Sequence, residues 1–279
     1  MSRGSFVTRR LLLGYSAIAT FLVPGSLGSA LARSAPRARP RPEPVLPPRR
    51  VMLDPGHGGK DPGAIGYAGS YEKHIALAAA LELMRQLEGS GRYRVALTRG
   101  RDVFIPLDGR VAQAEARRAD LFISMHADAV PNHKVRGASV YTLSADASDP
   151  QTAALARREN SADIYGGPAF RGQSPEVAQI LASLVRQETR AGSVRLARSV
   201  VSSLGRDVPL LVNPSRHAAF VVLKAIDIPS VLVEMGFMSN PQDEADLRQG
   251  DHRTRIAAAM KRAVDRYFES AGSLLHIAG

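Results

Sequence analysis

From residue 50 onward, short apolar runs alternate with stretches of helical periodicity. Val51–Leu53 reads as a buried strand. Residues 71–88 read as a helix with Leu77, Leu81, Met84 and Leu87 on one face, ended by Gly89 and Gly91. Tyr93–Leu97 alternates as a strand does. Residues 107–118 return to a helical pattern, and Leu121–Ile123 and Ala138–Leu143 are further strands. Residues 150–161 and 175–205 read as helical, Phe220–Leu223 and Ser230–Val233 as strands. Residues 253–270 read as a closing amphipathic helix with Ile256, Met260, Val264 and Tyr267 or Phe268 inward. This β-α-β-α-β order predicts a single α/β domain, a mainly parallel twisted sheet flanked by helices. No internal repeat is visible.

The first fifty residues break the pattern. Arg9-Arg10 precedes an apolar stretch from Leu11 to Val23, followed by Ala30-Leu31-Ala32, a small-residue site of the A-x-A kind. These are the three parts of an export signal over residues 1–32. Thr8-Arg9-Arg10-Leu11-Leu12-Leu13 resembles the twin-arginine signal, although Gly14 stands where that motif commonly has lysine, so the ordinary secretory route is the alternative. Pro24-Gly25 interrupts the apolar stretch, which argues against a stable membrane span. Residues 33–49 interleave six prolines with arginines and predict an extended linker.

Composition then changes meaning. The formal net charge is +11 over 279 residues, but +3 belongs to residues 1–32 and +5 to residues 33–50, leaving +3 for the rest. The basicity marks an exported chain with a cationic tether, not a nucleic-acid binder. There is no cysteine, which excludes disulfides, thiolate nucleophiles and cysteine-held metals. Any metal must rest on His, Asp or Glu.

The candidate chemistry sits at strand ends. Asp54-Pro55-Gly56-His57-Gly58-Gly59 follows the first strand, but Lys60-Asp61 ends neither a Walker A loop nor a dinucleotide fingerprint. The turn instead presents one uncrowded histidine. Ser124-Met125-His126-Ala127-Asp128 follows the strand at Leu121–Ile123, and Glu234 ends the strand at Ser230–Val233. The carboxyl edge of an open α/β sheet is where sites form. Glu72, at the start of the first helix, reaches the same edge or is simply a first-turn acid favoured by the helix dipole. His57, Glu72 and His126 make a His₂Glu set that suits Zn²⁺ and leaves a fourth position for water. Their spacings of 14 and 53 intervening residues require the fold to assemble them. Zinc there would acidify water and polarise a carbonyl oxygen, with Glu234 the remaining candidate acid/base.

These blocks, with Val233-Glu234-Met235-Gly236-Phe237-Met238-Ser239-Asn240, resemble the signatures of zinc-dependent N-acetylmuramoyl-L-alanine amidases of the AmiC-like family. The resemblance spans about residues 50–270 and implies a catalytic domain over 50–271. It implies hydrolysis of the amide between N-acetylmuramic acid and L-alanine in peptidoglycan, with His57, Glu72 and His126 as zinc ligands and Glu234 as catalytic acid/base. It further implies a periplasmic enzyme of cell separation or wall remodelling, with no transmembrane span in the mature protein. Residues 144–195 exceed a simple crossover and resemble the helical plug of division amidases, which implies autoinhibition relieved by a LytM-like activator protein. Glu159, in Arg158-Glu159-Asn160, is the candidate inhibitory ligand; the alternative is a solvated helix residue. His133 and His217 are weaker candidates for substrate contact, His74 faces elsewhere, and His252 and His276 are peripheral. Two other functions fit the same residues: a zinc carboxypeptidase or endopeptidase on the stem peptide, and a non-catalytic wall-binding regulator.

Overall fold

A computed structural model describes residues 47–166 and 179–277. The export signal and nearly all of the linker lie outside these residues. The described residues belong to one compact unit. Its strands are β1 (Arg49–Pro55), β2 (Tyr93–Leu97), β3 (Leu121–His126), β4 (Ala138–Leu143), β5 (Leu210–Ala218) and β6 (Ser230–Glu234). Its helices are α1 (Glu72–Glu88), α2 (Leu107–Ala116), α3 (Pro150–Asn160), α4 (Gln179–Leu204), α5 (Pro241–Arg248) and α6 (Gly250–Ile277).

The six strands form one sheet in the order β2-β1-β3-β6-β4-β5. Four of the five pairings are parallel; β4 runs antiparallel to β6, so the sheet is mixed. The central strands are buried throughout because both faces are covered. Alternate residues therefore feed two cores. Val51, Leu53, Leu121, Ile123, Val231 and Val233 join the layer under α1, α4 and α6. Met52, Phe122 and Leu232 join the opposite layer with Leu107, Leu155, Phe220 and Val222.

Two expectations are corrected and two elements are added. The apolar run Phe220–Leu223 is not a strand: Val221–Leu223 is a 3₁₀ turn, and Phe220, Val222 and Leu223 fill the second core. Four apolar residues carry no period by which to tell a strand from a turn. The strand lies just before it, as β5, whose polar Asn213-Pro214-Ser215-Arg216-His217 carries no apolar alternation by which to find it. As an edge strand paired only with β4 it tolerates Pro214 and exposed side chains. On α1, Leu81 is 43% exposed, and the buried face is Ile75, Ala76, Ala79, Ala80, Leu83 and Leu87. Alanines carry the stripe because α1 packs closely on α6. The closing helix buries Ile256, Met260, Val264 and Tyr267 as expected. Helix α5 escaped the sequence reading; it starts at Asn240, whose side chain accepts from Gln242 N and Asp243 N, with Pro241 at its first position.

Candidate functional site

The carboxyl edge of the sheet brings the predicted residues together. The chain leaves β1 through Gly56 into His57, which has φ 60°, an uncommon left-handed conformation for a non-glycine residue. Two buried arginines hold this turn by its carbonyls. Arg99 donates to the oxygens of Pro55 and Gly56, and Arg110 to those of Pro55 and His57. Neither arginine is singled out by the sequence, although Arg99 follows β2 at the same edge.

His57 Nδ1 lies 2.8 Å from Asp61 Oδ2, which aims Nε2 inward, 3.1 Å from Glu72 Oε2. His126 ends β3 with its Nδ1 3.1 Å from Glu72 Oε1. Glu72 is not serving its own helix as a first-turn acid. Its carboxylate is fully buried and accepts from Ala64 N (2.8 Å) and Ala127 N (2.9 Å), both outside α1. One donor atom each from His57, Glu72 and His126 lies within 4.8 Å of the others. Two glycines leave room for these rings. A Cβ at Gly56 would sit 2.6 Å from His126 Nδ1, and one at Gly63 would sit 2.7 Å from Glu72 Oε2.

Glu234 ends β6 in register with His126. Its Oε2 accepts from Asp128 N at 2.9 Å, while its buried Oε1 has no hydrogen-bond partner. Glu159 is not a solvated helix residue. It is 6% exposed on α3, and its Oε2 lies 3.1 Å from His126 Nδ1 and 3.6 Å from His57 Nε2. His126, Glu159 and Glu234 also bring donor atoms within 4.8 Å of one another, so a second acidic trio shares His126 with the first. Arg158, next to Glu159, pairs with Asp128, and Asn160 bonds Ala219 O and Val221 N; the end of α3 is thereby tied to the site.

Crowding Glu72, Asp128, Glu159 and Glu234 around two imidazoles skews their protonation. Burial raises Glu234, and the charges of Asp128, Glu72 and Glu159 raise it further, well above the carboxylate range. Burial, Glu159 and Glu72 push Asp128 up to about 7 against the pull of Arg158. Burial would raise Glu72 too, but His57 and His126 outweigh it and hold Glu72 well below its ordinary value. Burial lowers His57 and His126, and is overcome by Glu72 and Glu159 in both.

A cavity of about 460 Å³ opens beside this cluster. One wall is Gly63, Ala64 and Asp128–Pro131; the other is Arg158, Glu159, Ser161 and Ala162. Among the described side chains, the remaining histidines stay out of it. His74 is 58% exposed, His133 is an exposed loop residue stacked edge-on to Tyr67, and His217 is exposed on β5 against Ser148. His252 is not peripheral but buried at the start of α6, and the side chain of His276 lies outside the described ones.

A family model described as N-acetylmuramoyl-L-alanine amidase matches residues 51–266. The chain is 41% identical over 247 residues to the N-acetylmuramoyl-L-alanine amidase AmiC of Neisseria meningitidis, covering 88% of this chain and 59% of that protein. It is 42% identical over 221 residues to the AmiA amidase of Escherichia coli, covering 79% and 76%. The solved AmiC2 amidase of Nostoc punctiforme aligns with a TM-score of 0.56 at 27% identity, over 79% of this chain and 97% of that one. The chain spans about 60% of the length of the AmiC relatives it matches. The matched residues run from the strand that leads into His57 to the helix that closes the sheet, and on that extent the chain belongs to the N-acetylmuramoyl-L-alanine amidase family.

Proposed function

We propose that this protein hydrolyses the amide between N-acetylmuramic acid and L-alanine in peptidoglycan, with His57, Glu72 and His126 holding zinc. The observation that carries the reading is the convergence of two imidazole nitrogens and one carboxylate beside Glu234, at the sheet edge. The donor set fits zinc: His57 Nε2 is buried without a hydrogen-bond partner, and two imidazoles with one carboxylate are a set that would hold zinc and leave it open to water or substrate. Zinc bound there supplies a Lewis acid for the amide carbonyl and acidity for water.

Glu234 supplies the proton traffic. Its free Oε1 takes the proton from the attacking water as oxygen bonds to the carbonyl carbon, and returns it to the amide nitrogen as the C–N bond breaks. Burial and the charges of Asp128, Glu72 and Glu159 raise its carboxyl, while a dication held by His57, Glu72 and His126 would favour the ionised form that the first half needs. Asp128 N, donating to Oε2, orients the carboxyl. The amidase names of the relatives favour this bond over a stem-peptide bond.

Digestion of purified cell walls, read by mass analysis of the products, tests the reading. The expected products are glycan freed of peptide and intact stems beginning with L-alanine; shortened stems still on the glycan would replace the amidase with a peptidase. Chelation abolishes the reaction and zinc restores it. Glu234→Ala lowers turnover by about 10²–10⁴-fold while wall binding persists. Retained turnover would remove Glu234 from the role.

The same reading extends to regulation and place. Glu159 Oε2 stands within 3.6 Å of both ligand nitrogens, where it would compete with water, and this supports α3 as an inhibitory plug. A LytM-like activator protein binding the open form would shift the balance toward it. Residues 1–32 direct export to the periplasm, residues 33–49 act as a linker, and residues 50–271 are the catalytic domain, acting in cell separation or wall remodelling. Among the described residues no helix is long and apolar enough to cross a membrane.

A further inference from the structure

Asp54 and Ser124 belong to neighbouring strands and are partners in the β1–β3 register. Both are fully buried. Asp54 Oδ1 accepts from Arg110 Nη1 (2.8 Å) and from Thr98 Oγ1 (2.6 Å); its Oδ2 accepts from Ser124 Oγ (2.7 Å). Paired with a buried guanidinium, Asp54 is ionised and can only accept. The single hydroxyl proton of Ser124 is therefore committed to Asp54. Ser124 Oγ also lies 3.1 Å from His126 Nε2. With its proton spent, that oxygen can only accept there, so Nε2 must carry the hydrogen.

His57 is arranged the other way round. Its Nδ1 faces Asp61 Oδ2 at 2.8 Å, and Asp61 Oδ1 accepts from Gly63 N at 3.0 Å. An acceptor-only carboxylate there requires the hydrogen on Nδ1 and leaves Nε2 bare. The two rings thus present opposite nitrogens, Nε2 of His57 and Nδ1 of His126, to Glu72.

We infer that Ser124 and Asp54 are positioning residues that fix His126 as the Nε2–H tautomer, so that its Nδ1 is the metal-binding atom, opposite to His57. The inference rests on the metal site of the proposed function. It also explains why Asp54 and Ser124 sit inside the two blocks that carry the histidines. Hydrogen-bonded partners of this kind orient a ligating imidazole and raise its basicity, and their loss costs ten- to a hundredfold in metal affinity.

The test is a two-bond proton–nitrogen spectrum of the full chain, labelled with ¹⁵N in histidine and loaded with zinc. His126 should show a zinc-bound Nδ1 and a protonated Nε2, and His57 the reverse. A zinc-bound Nε2 on His126 would overturn the inference. Ser124→Ala should weaken zinc binding, measured against a chromophoric chelator, by ten- to a hundredfold, and Ser124→Thr, which keeps the hydroxyl, should restore most of it. Wild-type affinity in a folded Ser124→Ala protein, with folding checked by its melting curve, would also overturn it. The wild-type spectrum decides the tautomer even where the variant does not fold. Should the wild type take up no zinc, the metal reading fails by itself. The relay is then judged on the neutral rings of the metal-free protein: Nε2–H on His126 upholds it, and Nδ1–H ends it.

Discussion

Gly63 shows how little room the site leaves at a single residue. Its φ is 67°, and a Cβ there would press on the His57 ring and on Glu72 Oε2. Gly63→Ala therefore meets both backbone strain and a displaced His57–Glu72 pair. It should cost about 1–3 kcal/mol of stability in chemical denaturation, together with weakened zinc binding in a chelator competition. Unchanged affinity would mean that the loop yields without disturbing His57 and Glu72. At this scale the sequence was most legible where chemistry follows a strand: His57, His126 and Glu234 stand at strand exits, and their residue types name the chemistry. Asp61, Arg99 and Arg110 were not legible. Arg99 and Arg110 act on carbonyls more than 40 residues away, and Asp61 reaches the His57 ring only because the turn between them folds back; a lone Asp or Arg carries no local sign of such a partner. The block residue Ser124 was in plain view, but its use depends on lying between Asp54 and His126.

Among the elements, α3 bears most directly on function. Asp149 caps it by accepting from Thr152 N, Pro150 starts it, and its far end is bound by Asn160 and by the Arg158–Asp128 pair. This holds Glu159 against the histidines. Glu159→Ala removes the competing carboxylate without touching the anchors. It should raise basal wall hydrolysis in the absence of any activator, measured as dye release from labelled walls; unchanged hydrolysis by a folded variant would end the plug reading. A point change is cleaner than excising residues 150–190, because the helical pattern in that stretch already includes the start of α4. Helix α4 goes on to bury Leu196, Ala197, Val200 and Leu204 in the core, and Ser193 Oγ accepts from Ser230 N at the head of β6. Periodicity located both helices but had no means of separating the one that carries Glu159 to the site from the one that fills the core, since both are amphipathic and only their burial partners differ. The same limit misplaced the strand near residue 220: an apolar run was read as β, and the polar edge strand before it was not identified.

For the whole molecule, the Asp54–Arg110 pair couples the site to global stability. It joins β1 to α2, with both side chains buried. Burial would raise Asp54, but Arg110, Thr98 and Ser124 outweigh it and leave its carboxyl below the ordinary value of 3.8. A carboxyl lowered on folding stabilises the fold above its unfolded pKa and loses that contribution as pH falls through the lowered folded value. Stability should therefore decline below about pH 4 as the unfolded chain takes up the proton first. Asp54→Asn should cost about 3–5 kcal/mol near neutrality, because it strands a buried guanidinium. The gap between variant and wild type should narrow as pH falls below 4 in urea titrations. A gap constant with pH would mean that Asp54 is already neutral in the fold.

The sequence by itself determined the class of fold, the sheet edge that carries the site, and the residue types available to it. The alternation of strands with helices allows few other architectures, and the absence of cysteine leaves only imidazoles and carboxylates to hold a metal. Only the tertiary structure decided the antiparallel β4–β6 pairing and which face of α1 is inward. It alone turned Glu72 and Glu159 from plausible surface acids into buried partners of the two histidines. The reason is physical. Apolar period and strand-end chemistry are local properties written in neighbouring residues. The use to which a carboxylate is put depends on what packs against it from other elements, as His126 does for Glu72 from 54 residues away along the chain.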